Sequence, residues 1–581
     1  MTEADAAPAE PLTLEAAADA VVCLESPCVL LDPRDVVLDD VLLRSNFSGG
    51  YFTALRTTPH VRTYRIRDAV LDADTMLLSK HGRTIAQTAA FGSPEHQRPA
   101  GARPPRQVRI PDTATAVIGC NLAYRYVFYW LTQCLPAIDW SLRQQRDRPC
   151  RLLLPPLAPW QEETLALLGH AKVPRVVLKP GTQYLLPDAE YSDFLHGWTT
   201  FQLSRCLAAT GRRAAEACQG ASPHAIVYVP CPKPFYGPIV NEDEVIAFLR
   251  ARGAFILPPA GMSFAERIVL FRDARVIIGA HGAALTGILF SRPGAVLWEL
   301  MPEHFQYACY NRLAQSCGLH YWGNVFPSTP EGGVHEWRID LAALAAQWPA
   351  VPAAAARAPP PPLPEPTPLV ELMTAFESLG DNCEFGTAQR HVNSEPLGLL
   401  RFLGFFQPVE IRLEHLVAAL DSGFAGLGEP GTVNVTAEGA EREYMMNETA
   451  WGLRGHTFRY EPDITAEALQ AAEALRLGFL RRKLLEDLAA GEKIWVWKSH
   501  ATTRDEQIRP LLQALRRRGP NILLWVTIAD PQHPSGSLER LEPDLLKGYI
   551  ARFGFGEDGE EMLTEPWLEI CQRAYNALGR G

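Results

Sequence analysis

Short apolar runs alternate with amphipathic stretches along most of the chain. A short apolar run between turn residues is typical of a buried strand, whereas apolar residues that recur every three or four positions indicate a helix. By these criteria, strands are predicted over residues 115–120, 151–155, 175–179, 225–229, 254–258, 275–280 and 295–300, and helices over 123–145, 161–170, 241–253 and 263–274. Strands that alternate with helices favour parallel, right-handed βαβ units. Two such runs in tandem predict two Rossmann-like halves, preceded by β-like segments over residues 62–90.

A stretch rich in proline and alanine, WPAVPAAAARAPPPPLPEPTP, divides the chain. Proline fixes φ and removes a backbone donor, so this stretch is predicted to be a semi-rigid, extended linker. The predicted divisions of this α/β chain are a flexible acidic tail (1–20), an N-terminal half (21–215), a C-terminal half (216–347), the linker (348–370) and a separate α/β domain (371–581).

Composition excludes several classes of protein. The chain has 581 residues, of which 47% are hydrophobic and 21% charged, as in ordinary globular proteins. Its formal net charge of −11 gives no basic surface for nucleic acid. The start of the chain does not resemble a signal peptide, no apolar run is long enough for a membrane helix, and the 12 cysteines lack the spacing of a disulfide framework. We therefore expect a soluble, cytoplasmic protein, for which peripheral contact with a membrane stays open.

The segment RVIIGAHGAALTGILFSRPGAVLWELMP, residues 275–302, carries the strongest chemical signal. A predicted strand ends near Gly279, and the chain turns through His281, Gly282 and Ala283 into a helix start. Small residues let backbone N–H groups approach a phosphate, and a helix N-terminus favours negative charge. In this interpretation His281 donates to a diphosphate oxygen and Thr286 adds a hydroxyl.

This segment resembles the family 61 glycosyltransferases, which include capsular-polysaccharide-type enzymes. Their motif G-x-H-G-A-x-L-T-N-x-x-F is read here from Gly279 to Phe290, and it is followed by Pro293-Gly294-Ala295. The resemblance covers roughly residues 35–325. It implies a GT-B-like pair of halves, with the acceptor on the N-terminal side, and an inverting transfer from a nucleotide-sugar donor without a bound metal or other cofactor. The acceptor implied is a glycan or a lipid-linked molecule, and the process is surface polysaccharide synthesis.

The resemblance also assigns further residues to the donor side, namely Asn241, Glu266 and Glu299, the last as an acceptor of hydrogen bonds from a ribose. Lys233 is the only cation in the segment where relatives often place arginines, and Cys231 stands where an arginine is common. Two other positions depart from the family pattern: Tyr129 replaces a histidine, and Gly287 replaces the asparagine of the motif. These losses leave open a catalytically degenerate binding module.

An inverting transfer needs a base to accept the proton of the acceptor hydroxyl. Asp139 and Tyr129, on the predicted helix 123–145, are the candidates in the N-terminal half. Neither the base nor the donor sugar is decided by the sequence.

The C-terminal part carries a second candidate activity. Cys383 follows the short run AFESLGDN near a predicted helix start, a position that stabilises a thiolate. The predicted strands 493–500 and 521–530 flank a helix over 505–519, and their carboxyl ends would bring His500 and Asp530 within reach; His456 is a second candidate base. The opening SLGDNC resembles a little-characterised family of papain-like cysteine peptidases, so a cysteine-dependent peptidase or transferase stays open beside a folded accessory domain.

Overall fold

The computed structural model describes most of the chain. The described residues are 10–31, 36–38, 55–89, 105–144, 149–196, 200–230, 237–331, 334–357, 368–380, 384–394, 398–401, 403–405, 409–429, 431–461, 463–498, 503–554 and 564–580. No helix among them is long and apolar enough to cross a membrane.

Strands and helices are numbered in chain order. The strands are β1 (Ala20–Glu25), β2 (Val29–Leu31), β3 (Val36–Leu38), β4 (Leu55–Thr57), β5 (Val61–Asp72), β6 (Leu78–Lys80), β7 (Arg83–Thr84), β8 (Arg106–Arg109), β9 (Thr115–Ile118), β10 (Cys150–Leu154), β11 (Arg175–Val177), β12 (Thr182–Ser192), β13 (Ile226–Val229), β14 (Phe255–Ile256), β15 (Val276–Ala280), β16 (Val296–Pro302), β17 (His320–Phe326), β18 (Ser328–Glu331), β19 (Val334–Trp337), β20 (Phe376–Ser378), β21 (Leu403–Phe405), β22 (Val433–Glu438), β23 (Glu443–Glu448), β24 (Leu453–Tyr460), β25 (Ile494–Lys498), β26 (Ile522–Ile528), β27 (Leu538–Glu542) and β28 (Leu545–Ile550). The helices are α1 (Leu14–Ala17), α2 (127–144), α3 (Pro159–Leu167), α4 (Arg205–Ala217), α5 (Glu242–Arg250), α6 (Phe264–Asp273), α7 (Cys309–Cys317), α8 (Leu341–Gln347), α9 (Ala350–Ala354), α10 (Leu369–Thr374), α11 (Glu384–His391), α12 (Val409–Ser422), α13 (Ala466–Ala490), α14 (Asp505–Arg518) and α15 (Glu565–Ala577). Helix α2 contains a π turn, Trp130–Cys134, between its α-helical parts Val127–Tyr129 and Leu135–Gln144. Four short 3-10 helices complete the described elements: Ala86–Ala89, Asp193–Leu195, Thr200–Leu203 and Ala283–Phe290.

The chain divides into two compact units. Unit 1 comprises residues 1–27, 33–53 and 57–364, and unit 2 comprises 28–32, 54–56 and 365–581. The last boundary between the units along the chain, after residue 364, falls within the segment predicted as a linker.

The first sheet of unit 1 mixes strand directions. Its order is β11-β10-β9-β12-β5-β6-β7, with β1 beside β5 and β8 beside β12. Strands β9, β10 and β11 are parallel and β12 runs with them, whereas β5 is antiparallel to β12. The long strand β12 therefore joins the predicted βαβ run to the β-like segments that precede it.

The second sheet of unit 1 is parallel throughout, in the order β14-β13-β15-β16-β17-β3. Its strands alternate their apolar side chains between two cores, as the period of two residues in a strand requires. On β16, Trp298 and Leu300 face a core closed by α5, α8 and α9, and Leu297 and Met301 face the core shared with the first sheet. Glu299 lies on the same face of β16 as Leu297 and Met301.

Unit 2 is a three-layer α/β/α sandwich with an added antiparallel sheet. Its main sheet, in the order β20-β25-β26-β28-β27, is parallel except for β27. Trp495, Trp497 and Trp525 pack against α12, α13 and α14, and Val496 and Leu524 pack on the opposite face against α10, α11 and α15. Strands β21 to β24 form the second sheet, in the order β21-β24-β23-β22.

Two segments expected to be loose are ordered in part. The predicted tail includes α1, whose Leu14 and Ala17 are buried in the core of unit 1. The first part of the predicted linker forms α9, where Val351 and Ala354 are buried beside the second sheet. Residues 1–9 and 358–367 lie outside the described residues. Alanine-rich composition misled both predictions, because a few apolar side chains suffice to dock a short helix.

Candidate functional site

The His281 loop, residues 281–284, follows β15 where the order of the second sheet reverses. Strands β13 and β15 are neighbours; the chain runs from β13 outward to β14, and from β15 outward to β16 on the other side. Ligands of open α/β sheets bind beyond the carboxyl ends of strands at such a switch point. The loop leads into the 3-10 helix Ala283–Phe290. The N–H groups of Ala283 and Ala284 begin this helix without an acceptor inside it, and both residues are exposed.

His281 is held by Glu299 of the adjacent strand. Its Nδ1 lies 2.5 Å from Oε1 of Glu299, whose Oε2 accepts a hydrogen bond of 2.5 Å from the Tyr321 hydroxyl. All three side chains are buried, and Glu299 has no exposed surface. The prediction that Glu299 binds a ribose does not fit this placement, because His281 and Tyr321 occupy both carboxylate oxygens. Glu299 instead orients His281 so that Nε2 is the nitrogen through which the ring would meet a ligand.

Tyr310 of α7 closes the loop. Its hydroxyl donates to the carbonyl oxygen of Gly282 at 2.6 Å, and its ring centroid lies 5.1 Å from that of His281. The Thr286 hydroxyl donates to the carbonyl of Ala283 at 2.7 Å and is fully buried. Thr286 therefore stabilises the loop internally, and it does not present its hydroxyl to a diphosphate as we predicted. The groups that remain for an anion are His281 and the backbone amides of residues 282–284.

The other predicted donor-side residues serve the fold. The amide of Asn241 donates to the carbonyl of Ile339 at 2.9 Å and accepts from its N–H at 3.0 Å, which joins the start of α5 to a neighbouring segment. Glu266 forms a capping box with Ser263 at the start of α6. The backbone bond from Ser263 lowers the pKa of Glu266, as is usual for a carboxylate at a helix N-terminus. Lys233 lies outside the described residues.

Asp139 lies inside an ionic cluster and has no exposed surface. Its carboxylate contacts four side chains: His170 at 2.9 Å, Arg143 at 3.1 Å, Thr210 at 3.4 Å, and Arg213. Burial alone would raise the pKa of Asp139, but the hydrogen bond from His170 and the charge of Arg213 bring it below its ordinary value. A carboxylate enclosed by these partners does not reach an acceptor hydroxyl, so the structure disfavours Asp139 as the base.

Tyr129 lies on the first turn of α2, half-buried between aromatic rings. Its centroid is 5.2 Å from that of Phe128 and 6.3 Å from that of Tyr126. Burial, with smaller effects of Cys309 and Tyr126, raises the pKa of the Tyr129 hydroxyl. A phenol that stays protonated near neutral pH is a poor general base, so Tyr129 is better described as a packed aromatic residue.

In unit 2, Cys383 and His500 lie outside the described residues. His456 is exposed on β24, in the antiparallel sheet, with Nδ1 3.0 Å from Oε2 of Glu443.

Strands β25 and β26 are parallel, as predicted, so their carboxyl ends share one edge of the main sheet. At this edge Lys498 donates to Glu384 at 2.7 Å, and both side chains are buried. This ion pair was not predicted, although Glu384 follows Cys383 directly and Lys498 lies in the strand predicted over residues 493–500.

Residues 130–298 match the family model described as Glycosyltransferase 61. This segment is similar to glycosyltransferase family 61, and we call it the family 61 segment. It runs from the π turn of α2 to β16, and it includes His281 and the 3-10 helix that follows. The family 61 segment thus ends one residue before Glu299, and it lies wholly within unit 1.

Parts of the chain are also similar to curated glycosyltransferases of eukaryotes. The EGF domain-specific O-linked N-acetylglucosamine transferase of Drosophila melanogaster is 32% identical over 116 residues, which cover 17% of this chain and 21% of that protein. The beta-1,2-xylosyltransferase of Arabidopsis thaliana is 33% identical over 96 residues, or 14% and 18% of the two chains. The xylan glycosyltransferase MUCI21 of the same plant is 29% identical over 91 residues, or 15% and 18%. The chain spans about a fifth of the length of the curated relatives it matches.

Two residues of the site, Tyr310 and Tyr321, were missed by sequence reasoning. The alternation on β16 that buries Leu297 and Met301 carried a signal, since it places Glu299 on the same face and demands a partner for its charge. Tyr321 pairs in register with Leu297 on the adjacent strand and therefore shares that face. Tyr310 lies on a helix that was not predicted, and nothing in the local pattern indicated its contact with Gly282.

Proposed function

We propose that unit 1 is an inverting glycosyltransferase that moves a sugar from a nucleotide-sugar donor to a hydroxyl of a glycan or lipid-linked acceptor. The observation that carries the proposal is the His281 loop, which belongs to the family 61 segment and follows β15 at the switch point of a parallel sheet. The two sheets of unit 1 serve as the two halves of a GT-B-like enzyme, with the donor on the second sheet.

The donor diphosphate would lie against the amides of residues 282–284. Backbone N–H groups at a helix start carry partial positive charge, and they are already oriented before the ligand arrives. The side chains of Ala283 and Ala284 leave space for a phosphate to approach the main chain. No side-chain hydroxyl is needed, which agrees with the internal bond of Thr286.

The transfer itself is a direct displacement at the anomeric carbon. The acceptor oxygen forms a bond to that carbon while the bond to the diphosphate oxygen breaks, the acceptor proton passes to a base, and the nucleoside diphosphate leaves. His281 can contribute in one of two ways through Nε2: the ring donates to the leaving diphosphate when protonated, or accepts the acceptor proton when neutral. In both cases Glu299 fixes the ring through Nδ1.

Calorimetric titration with UDP, GDP, CMP and dTDP tests the donor site, using the full chain and its His281→Ala variant. One nucleotide should bind, and loss of a charge-assisted hydrogen bond of about 1.5–3 kcal/mol should weaken binding at least tenfold in the variant. If His281 is instead the base, His281→Ala should retain nucleotide binding and lose sugar transfer. His224→Ala, a histidine stacked on Phe255 outside the loop, is the matched control. No binding by any of the four nucleotides to the folded chain would contradict the proposal.

Two alternatives remain as proposals with their own tests. A degenerate binding module would bind the nucleotide without turnover, as the departures at Tyr129 and Gly287 allow. A cysteine-dependent activity of unit 2 would make Cys383 react with iodoacetamide much faster than the other cysteines near neutral pH. Labelling of Cys383 at the same rate as the others would remove that activity.

A further inference from the structure

A cavity of about 470 Å³ lies beside the His281 loop, and Ala283 and Ala284 of the loop contribute to its lining. Its walls come from both halves of unit 1: α2 and α3 on one side, and α6, residues 257–262 and the 3-10 helix on the other. Ala283, Ala284 and Gly287 form the wall nearest His281. Because α2 and α3 follow β9 and β10, the cavity lies where the carboxyl ends of the strands of both sheets meet.

The side chains that line the cavity are apolar except for that of Arg267. Trp160, Phe264, Phe271 and Phe290 supply aromatic surface, and Trp160 and Phe264 approach each other to 5.5 Å between centroids. Arg267 is the only charged residue among the described lining, and its Nη2 donates to the carbonyls of Pro258 and Pro259 at 3.3 and 3.0 Å. The start of α6 nearby is already capped by a carboxylate of Glu163, at 2.9 Å from the N–H of Phe264.

This chemistry disfavours a sugar or a nucleobase as the occupant. Both carry several hydrogen-bonding groups, and each one buried without a partner costs free energy. An apolar group has no such requirement, and its transfer from water to this lining is favourable. The volume lies within the usual range of ligand cavities and is about three times that of an engineered apolar cavity that binds benzene.

We propose that this cavity binds a hydrocarbon chain carried by the acceptor, which places the hydroxyl to be glycosylated beside the His281 loop. The proposal rests on the proposed glycosyl transfer and deepens it, because it assigns the acceptor to an apolar, lipid-linked class. An aromatic group attached to the acceptor has the same apolar chemistry, and chain-length dependence separates it from a hydrocarbon chain.

The test is calorimetric titration of the full chain with alkyl β-D-glucosides from butyl to dodecyl, below their micelle concentrations, and with glucose and phenyl β-D-glucoside as references. Each methylene that enters the cavity should tighten binding about fourfold, until the cavity is filled and the affinity levels off. Glucose alone should not bind. Affinity that does not depend on chain length, or phenyl glucoside that binds more tightly than every alkyl glucoside, would overturn the proposal.

A variant that fills the cavity locates the binding. Ala260 is an exposed residue of the lining, outside the His281 loop, and Ala260→Trp should weaken binding of the longest bound glucoside at least tenfold. Ala345→Trp, at an exposed position of α8, is the matched control and should bind as the natural chain does. Equal binding by both variants would show that the chains bind elsewhere.

Nucleotide titration of the same preparations separates this proposal from the donor site. Binding of a nucleotide together with an alkyl glucoside, without competition, supports the acceptor assignment. Competition between them would show that the cavity belongs to the donor site, and would overturn it. If a nucleotide binds and no alkyl glucoside does, the cavity proposal fails while the donor site stands; the reverse result supports the cavity and rejects the donor site.

Discussion

Glu299 carries a negative charge on a face of β16 that is otherwise apolar. Such a charge is tolerated only with partners, and His281 and Tyr321 supply them at 2.5 Å each. We expect Glu299→Gln to weaken nucleotide binding or transfer at least tenfold, because an uncharged amide no longer holds the imidazole by a charge-assisted bond. The measurement is nucleotide affinity and turnover, with thermal unfolding as a check of folding.

Tyr321→Phe provides the control for this prediction. It removes one hydrogen bond to the same carboxylate and keeps the bond between Glu299 and His281, so the effect expected is about 1 kcal/mol in stability and little in affinity. If Glu299→Gln binds and turns over as the natural chain does, then Glu299 is a structural residue and does not position His281.

Glu377 on β20 is also a buried carboxyl group, but it differs from Glu299 in its hydrogen bonding. It is 1% exposed, and neither of its oxygens has a hydrogen-bond partner in the part of the chain that the structure describes. Burial raises its pKa to about 7, against the opposing charges of Lys483 and Lys493. The folded chain therefore binds a proton more tightly here than the unfolded chain does. This contribution to stability is present below the unfolded pKa of 4.5 and is lost as the pH rises through about 7.

We predict that Glu377→Gln removes this pH dependence. The free energy of unfolding of the variant, relative to the natural chain, should increase with pH between about 5 and 8, by at most about 3 kcal/mol. Denaturant unfolding of both chains at several pH values measures the difference. Glu371→Gln, an exposed glutamate on α10, controls for the loss of one charge. A difference that stays constant with pH would contradict the assignment of a neutral Glu377.

At the scale of elements, Gly287 sets the approach of the 3-10 helix to α6. A Cβ atom at this position would lie 2.3 Å from Cε2 of Phe271, so a side chain fits only if the ring moves. This contact explains why glycine, and not the asparagine of the family motif, stands at position 287. We expect Gly287→Asn to lower the free energy of unfolding by about 1–3 kcal/mol.

A double-mutant cycle checks that explanation. Phe271→Ala should cost stability by itself, but in its presence Gly287→Asn should become much less costly, since the clash has been removed. Thermal or denaturant unfolding of the four chains gives the coupling energy. Additive effects of the two substitutions would show that Gly287 is required for another reason.

The elements themselves were largely predictable, because apolar runs of strand length and helical periodicity are local signals. Strands β9, β10, β13, β15 and β16 and helices α3, α5, α6 and α14 fall close to their predicted positions. The long strand β12 was missed, since TQYLLPDAEYS contains a proline and three charged or amide groups that blur its alternation. The His281 loop was recognised from its motif, whereas the roles of Glu299 and Asp139 depended on partners from other elements, which no local pattern specifies. Thr286 differs, because its hydroxyl bonds to Ala283 of its own 3-10 helix.

At the scale of the whole molecule, each unit has hydrophobic cores of its own. The first and second sheets of unit 1 share one core, and a second core covers the outer face of the second sheet. Unit 2 has a core on each face of its main sheet. The groups whose behaviour we predict divide in the same way: His281 and the apolar cavity belong to unit 1, and Glu377 belongs to unit 2.

Separate cores predict separate responses to heat. Scanning calorimetry of the full chain should show two transitions, because each unit can lose its own packing cooperatively. A nucleotide that binds at the His281 loop should raise the midpoint temperature of the unit 1 transition only. At a concentration of one hundred times its dissociation constant, it should raise the free energy of unfolding of unit 1 by about 2.7 kcal/mol. Glu377→Gln should raise the midpoint temperature of the unit 2 transition only, and only at a pH high enough to ionise Glu377 in the natural chain. A single transition that shifts with both the nucleotide and the substitution would show that the two units unfold together.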